Sequence, residues 1–276
     1  MDYTEYRETN HRLDYPAPVA LTIAGSDSGG GAGIQADLKT FHQFGVFGTS
    51  AITAITAQNT IGVTAIHPIP LSSVSAQIDA VASDLRPAAI KTGMLATAEV
   101  AEIVASKISA HKLNPYVMDP VMVATNGRRL LEHNATITLL NCLVPLATLV
   151  TPNLQEAEIL TGDDVRTVSE MKRAARWLVD AGADAALVKG GHLDGDAVDV
   201  LWDGTEELLW RHPRIDTLHT HGTGCTLSAA VTASLAAGLD MATAVNRAIL
   251  FVQDSISSAP RLGKGRGPIN LLASPQ

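Results

Sequence analysis

The chain has 276 residues, 46% hydrophobic and 17% charged, which excludes a disordered chain and provides for a sizeable core. Its 20 Lys and Arg face 28 Asp and Glu, a net charge of −8, and with no long basic run no nucleic-acid partner is expected. Two distant cysteines, Cys142 and Cys225, make no disulfide framework, and neither a membrane-spanning run nor a secretory leader is legible, so a cytoplasmic protein is expected.

Residues 1–17 are polar and read as an extension outside the core. Residues 19–24 form an apolar run closed by Gly25, the pattern of a buried strand. A glycine-rich turn follows to Gly33. Ile34, Leu38 and Phe41 then fall at helical spacing over 34–44. Strands are predicted at 50–57 and 62–69, the second as a hairpin partner, and a helix at 74–85. Further strands follow at 88–92, 116–118, 148–151 and 185–189. Helices are predicted at 98–110, near 135–143, from Asn153 to Leu160, and at 168–181. Residues 198–202 and 207–210 read as a β-hairpin around Asp203-Gly204, and two apolar helices, 225–237 and 241–258, close the chain. Strands alternating with helices imply βαβ units and a mostly parallel sheet covered on both faces. With no repeat or clear linker, residues 18–276 are expected to form a single domain.

In such sheets ligands bind at the carboxyl ends of strands. The unusual residues gather there: Gly25-Ser26-Asp27, Gln58-Asn59, Lys91-Thr92-Gly93-Met94, Asp119-Pro120, Thr151-Pro152-Asn153 and Lys189-Gly190-Gly191-His192. They are expected on one rim.

Three segments are candidates for holding phosphate. Gly31-Ala32-Gly33-Ile34-Gln35-Ala36 fits a relaxed dinucleotide pattern, which requires an acid about 20 residues on. No Asp or Glu lies between Asp37 and Asp79, so dinucleotide binding is rejected. The glycines then serve either close backbone approach to a small ligand or strand–helix packing, and their density favours the ligand. No G-x-x-x-x-G-K-[ST] segment exists. Gly222-Thr223-Gly224-Cys225 precedes a small-residue helix, where free amides and the helix dipole favour an anion. A thiol at a helix start has a lowered pKa, so Cys225 reads either as a partial thiolate base or as a small buried hydrophobe. The third segment, Gly263 to Pro268, reads as a flexible tail or a cover for a nucleotide.

Asp119 offers a carboxylate for Mg²⁺, or simply a turn. Asn153 and Glu156 read first as a capping box and second as metal ligands. Lys189 offers a cation beside permissive backbone. His219 and His221 form H-x-H with no further zinc ligands evident, and zinc is rejected.

Together these segments resemble the hydroxymethylpyrimidine/phosphomethylpyrimidine kinases of thiamine biosynthesis, within the ribokinase-like superfamily. The likeness runs from about Leu21 to Asn270. It is carried, in order, by Ala24 to Asp27, Gly30 to Thr40, Ile52 to Thr60, Lys91 to Leu95, Asp119-Pro120-Val121-Met122, Thr151 to Glu158, Lys189 to His192 and His221 to Ser228. It implies a three-layer α/β/α sandwich with a mostly parallel sheet and a small β-hairpin extension. It implies phosphorylation by ATP of hydroxymethylpyrimidine and then of its monophosphate, with Mg²⁺ and room for a monovalent cation. Gln58 is implied to bind the aminopyrimidine, with Asp37, Ala32, Met94 and Val121 by the substrate pocket. Asp119, Asn153 and Glu156 are implied at the Mg²⁺–nucleotide end, and Lys189 on ATP phosphates. Gly222, Thr223 and Gly224 are implied as an anion hole, and Cys225 as the base. A homodimer is implied too. The chain departs from the family at Val123 to Arg128, where A-K-S-G-D is usual. The alternatives are a pyridoxal/pyridoxine kinase and a catalytically silent vitamer sensor.

Overall fold

A computed structural model describes residues 17–122, 135–191, 193 and 195–276. Residues 1–16 of the 1–17 extension, the 123–128 departure and His192 lie outside the described residues.

Nine strands form one sheet: β1 (Val19–Asp27), β2 (Phe47–Gln58), β3 (Val63–Pro68), β4 (Ala89–Thr92), β5 (Tyr116–Met118), β6 (Leu149–Val150), β7 (Ala186–Lys189), β8 (Ala197–Trp202) and β9 (Glu207–His212). Their order is β3-β2-β1-β4-β5-β6-β7-β8-β9. The six strands from β2 to β7 in that order pair in parallel, while β3, β8 and β9 join antiparallel. The hairpin expected near Asp203 is therefore not a free arm; β8 pairs with β7 from Ala186↔Trp202 to Lys189↔Asp199 and widens the sheet.

The alternation of side chains along each strand explains the layers. Leu21 and Ile23 of β1, Tyr116 and Met118 of β5, and Ala186 and Val188 of β7 enter the core on one face. That face is covered by α2 (Leu71–Asp84), α3 (Ala98–His111), α4 (Ala135–Thr138), α5 (Leu154–Thr161) and α6 (Val168–Asp180). Ala20, Val117 and Leu187 point the other way, onto α1 (Gly33–Gln43), α7 (Thr223–Ala236) and α8 (Met241–Ser257). Burial on both faces is why the parallel strands read as continuous apolar runs.

Among the boundaries that differ from the pattern-based expectation, three are at β1, α4 and α7. β1 continues past Gly25 to Asp27 through a register shift between Ala24 and Ser26, which brings Asp27 onto the rim. The helix expected over 135–143 is α4 followed by a π turn, Leu139–Leu143. α7 begins at Thr223, two residues before the expected start, because Gly222 is its N-cap with φ +87°. Thr223, Gly224 and Cys225 are thus the helix's first turn, and their amides lack partners within the helix.

Candidate active site

A cavity of about 620 Å³ opens along the carboxyl ends of the parallel strands. Ala32, Gln58, Met94, Val121, Asp119, Asn153, Glu156, Lys189, Gly222, Thr223, Gly224 and Cys225 all line it. Asp37 does not. It is fully buried below the cavity, where its carboxylate accepts from Lys91 Nζ at 2.7 Å and Thr22 Oγ1 at 2.6 Å. The correction has a physical reason: a carboxylate buried on α1 requires a cation, and the one beneath it is Lys91, which itself reaches the cavity wall.

The glycine-rich turn is built by Asp27. Its carboxylate accepts from the amides of Gly29 at 2.8 Å, Gly31 at 3.2 Å and Ala32 at 2.9 Å. Those amides are consumed by the protein, so the turn is not a phosphate cradle. The glycines answer to packing instead: a Cβ on Gly31 would sit 2.7 Å from His221 Cδ2 and 2.9 Å from Pro268 Cβ. Four donors converge on Asp27, the fourth being His221 Nε2 at 2.8 Å. Burial would raise the Asp27 pKa, but the bond and charge of His221 and the amides of Gly29 and Ala32 hold it below the usual range. The same His221 nitrogen lies 3.3 Å from the Gln58 amide.

Gly222 locks the two segments together. A Cβ there would overlap the carbonyl oxygen of Gly31, and its left-handed backbone is strained for any other residue. Gly222→Ala is therefore expected to push the α7 start away from the turn, at a cost of about 1–2 kcal/mol from φ alone. Isothermal titration should then show loss of both nucleotide and ring-substrate binding in a protein that still folds.

The segment after α8 is anchored rather than free. His221 N donates to Gly267 O at 3.1 Å, and Gly265 N donates to Thr60 Oγ1 at 3.3 Å. Arg266 lines the cavity.

Charges alternate along the cavity floor. Lys189 Nζ pairs with Asp119 Oδ1 at 3.2 Å, and Ser228 Oγ donates to Asp119 Oδ2 at 3.3 Å. A Cβ on Gly224 would meet Lys189 Nζ at 3.2 Å, so this ammonium stands against the first turn of α7. Burial would lower the Lys189 pKa, but Asp119 and Glu156 overcome it and raise it. Asn153 and Glu156 form the capping box of α5: Asn153 N donates to Glu156 Oε2 at 2.8 Å, and Glu156 N to Asn153 Oδ1 at 2.9 Å. Capping does not remove Glu156 from the site, since it also lines the cavity. Burial pushes its pKa up to about 7, against the opposing pull of Lys189.

Cys225 departs from the expected partial thiolate. Burial pushes its thiol up to about 12, although Lys91 and the Gly33 amide act to lower it. Half-buried between the starts of α1 and α7, the thiol gains less from helix ends than it loses by leaving water. Burial works against the Lys91 ammonium, but Asp37, with Cys225 and Asp119, holds it above the ordinary lysine value. The pair is ionic. Asp27, His221 and Lys91 were visible as strand-end or motif residues, but their partners lie 194, 163 and 54 positions away, beyond any local pattern. Across the cavity from Gln58, Asp199 of β8 holds Gly190 N at 3.0 Å and His212 Nε2 at 3.1 Å. Arg214 donates to the carbonyls of Gly191, Leu193 and Gly195. No spacing signal marked either residue.

Three α/β/α layers, a rim cavity and a helix start flanked by a buried lysine–carboxylate pair define a ribokinase-like kinase. The model of the phosphomethylpyrimidine kinase family matches residues 27–270, and the chain belongs to that family. The hydroxymethylpyrimidine/phosphomethylpyrimidine kinase of Bacillus subtilis is 49% identical over 256 residues, 92% of this chain and 94% of that one. Among solved structures, an ADP complex of Bacillus subtilis pyridoxal kinase matches with a TM-score of 0.88 at 40% identity, covering 94% of this chain and 98% of that one. The phosphomethylpyrimidine kinase of Clostridium difficile matches with a TM-score of 0.79 at 41% identity, covering 87% and 99%. Among the described residues no helix is long and apolar enough to cross a membrane.

Proposed function

We propose that this chain transfers phosphate from ATP to 4-amino-5-hydroxymethyl-2-methylpyrimidine and then to its monophosphate, giving the diphosphate used in thiamine biosynthesis. The observation that carries this reading is one cavity lined both by Gln58 and by the first turn of α7 with Cys225. Gln58 reads the aminopyrimidine, Ala32, Met94 and Val121 enclose the ring, and the hydroxymethyl group faces Cys225. The first turn of α7 receives the transferring phosphoryl group through the Gly224 amide, while Thr223 N donates to Thr220 O at 3.3 Å and shapes the turn; catalysis of this kind is mostly positioning and charge stabilisation. Lys189 neutralises nucleotide phosphates. Cys225 takes the proton of the substrate hydroxyl. Asp119 and Glu156 carry two acidic groups against the single ammonium of Lys189, an oxygen donor set suited to Mg²⁺, held directly or through water. Mg²⁺ bound there screens the charge on the phosphates.

Supporting one kinase domain over 18–276 is the single sheet that all nine strands join. Two free cysteines fit a reducing cytoplasm. A homodimer is part of the same reading, with exposed Phe47 and Ile55 on β2 as its apolar contacts. The pyridoxal kinase alternative is not favoured: the family model that matches is that of phosphomethylpyrimidine kinase, and relatives at 49% identity are hydroxymethylpyrimidine/phosphomethylpyrimidine kinases.

The direct test is transfer of ³²P from ATP to hydroxymethylpyrimidine by purified protein, beside pyridoxal; no labelled pyrimidine product would end the proposal. Gln58→Leu is expected to raise KM for the pyrimidine, since leaving a buried ring donor or acceptor unpaired costs about 1–3 kcal/mol. Unchanged KM and kcat would remove Gln58 from the site.

A further inference from the structure

The Gln58 amide is held from two sides by groups whose polarity can be worked out. Asp27 receives three backbone N–H groups, so its carboxylate is an acceptor toward every neighbour. His221 Nε2, 2.8 Å from Asp27 Oδ2, must therefore carry a proton and donate it. Its one proton points to Asp27, so the Gln58 amide end 3.3 Å from the same Nε2 meets an N–H with no lone pair: an NH₂ there has no acceptor, whereas the carbonyl oxygen can share the proton. The other side agrees. Thr56 Oγ1 has one proton and gives it to Ser26 O at 2.9 Å. Its second neighbour, the opposite end of the Gln58 amide at 3.2 Å, must donate to it and is the NH₂ group. The structure places Gln58 Nε2 beside His221 and Oε1 beside Thr56, but oxygen and nitrogen of an amide are assigned by their network, and both contacts favour the amide turned over.

We infer that His221, oriented by Asp27, is a positioning residue that fixes the polarity of the Gln58 amide and thereby sets which ring edge the cavity accepts. One oxygen lone pair and one N–H of Gln58 are then presented in fixed order. This rests on the reading that Gln58 contacts the ring. A 4-aminopyrimidine offers an acceptor nitrogen beside an amino donor. Its 4-oxo analogue offers the reverse, N–H beside a carbonyl. A freely rotating amide would turn over and accept both rings, whereas a locked one meets the second with two like-to-like contacts.

The test compares kcat/KM for 4-amino- and 4-oxo-5-hydroxymethyl-2-methylpyrimidine in wild type and in His221→Phe, which keeps a ring but loses the donor. The wild type is expected to prefer the amino ring by at least about tenfold, the scale of leaving buried polar groups unpaired. His221→Phe should lose most of that preference through KM rather than kcat. His221→Gln, whose amide N–H can take the place of Nε2–H, should restore it. In a Gln58→Leu background, His221→Phe should change the ratio no further. A folded His221→Phe enzyme with the wild-type ratio would overturn the inference, whereas an unaffected Gln58→Leu enzyme would overturn the reading of Gln58 itself. If His221→Phe fails to fold, imidazole ¹⁵N shifts of the wild type decide: a protonated Nε2 is required, and an unprotonated one refutes the lock.

Discussion

Cys225→Ala is expected to lower kcat for phosphoryl transfer by about 10²–10⁴-fold, the range for losing a positioned general base, while calorimetry still shows nucleotide and ring binding. The raised thiol gives this prediction a second, sharper arm. With the thiol pushed up to about 12 by burial, the thiolate is the minor form near neutrality, and its fraction grows tenfold per pH unit below that value. Log kcat of the wild type should therefore climb with pH across the neutral and mildly alkaline range. Cys225→Asp puts in a carboxylate, whose ordinary pKa of about 3.9 lies well below that of a thiol, about 8.5. It should keep transfer and flatten the profile. A flat wild-type profile, together with Cys225→Ala retaining more than a tenth of the rate, would remove the base role and leave Cys225 as packing between the starts of α1 and α7.

The largest expected effect on stability lies below the cavity. Asp37→Ala leaves the Lys91 ammonium, fully buried, with its 2.7 Å partner gone. Breaking a buried pair from one side costs about 3–5 kcal/mol, because the remaining charge is uncompensated. For a chain of this size that corresponds to a fall in Tm of about 6–20 °C, readable by scanning calorimetry. Replacing both partners with apolar groups, Asp37→Leu with Lys91→Met, should recover most of the loss, since the desolvation cost disappears with the charges. The double variant separates two roles of the pair. Its stability should return while its kcat stays low, because the cation nearest Cys225 on that side is gone. A single variant that melts like the wild type would show that the ion pair carries no net stability.

The fold was legible because both sheet faces are buried and each parallel strand is a short apolar run ended by glycine, proline or a charged residue. That pattern located the rim and placed Gln58, Asp119, Asn153 and Lys189 on it, while Cys225 was marked by the glycines at its helix start. What it could not give was which side chains face each other across the rim. Asp37 is one residue in a helix with apolar spacing, and nothing local says that its carboxylate turns inward to Lys91. The first glycine segment invited a phosphate reading because glycine density is legible while the capture of its amides by Asp27 is not. Of the two readings of Cys225, the lowered thiol is the one that burial opposes, for a related reason: proximity to a helix start can be read from sequence, but burial beside it cannot. The Asn153–Glu156 pair was correctly legible as a capping box, and only the three-dimensional arrangement shows the same glutamate on the cavity wall.

Asp27 has one more consequence. By fastening Gly29, Gly31 and Ala32 before any substrate arrives, it preforms the part of the cavity wall at Ala32 to which the proposed reading assigns the ring. The wall does not have to be ordered on each encounter, so binding a ring sacrifices little backbone freedom. Two rings that bind with different strength then differ in the atoms they present to the wall rather than in how much of the protein each must organise. On the proposed reading, selectivity is therefore a property of matched edges, open to alteration by single substitutions around the ring without rebuilding the loop that supports them.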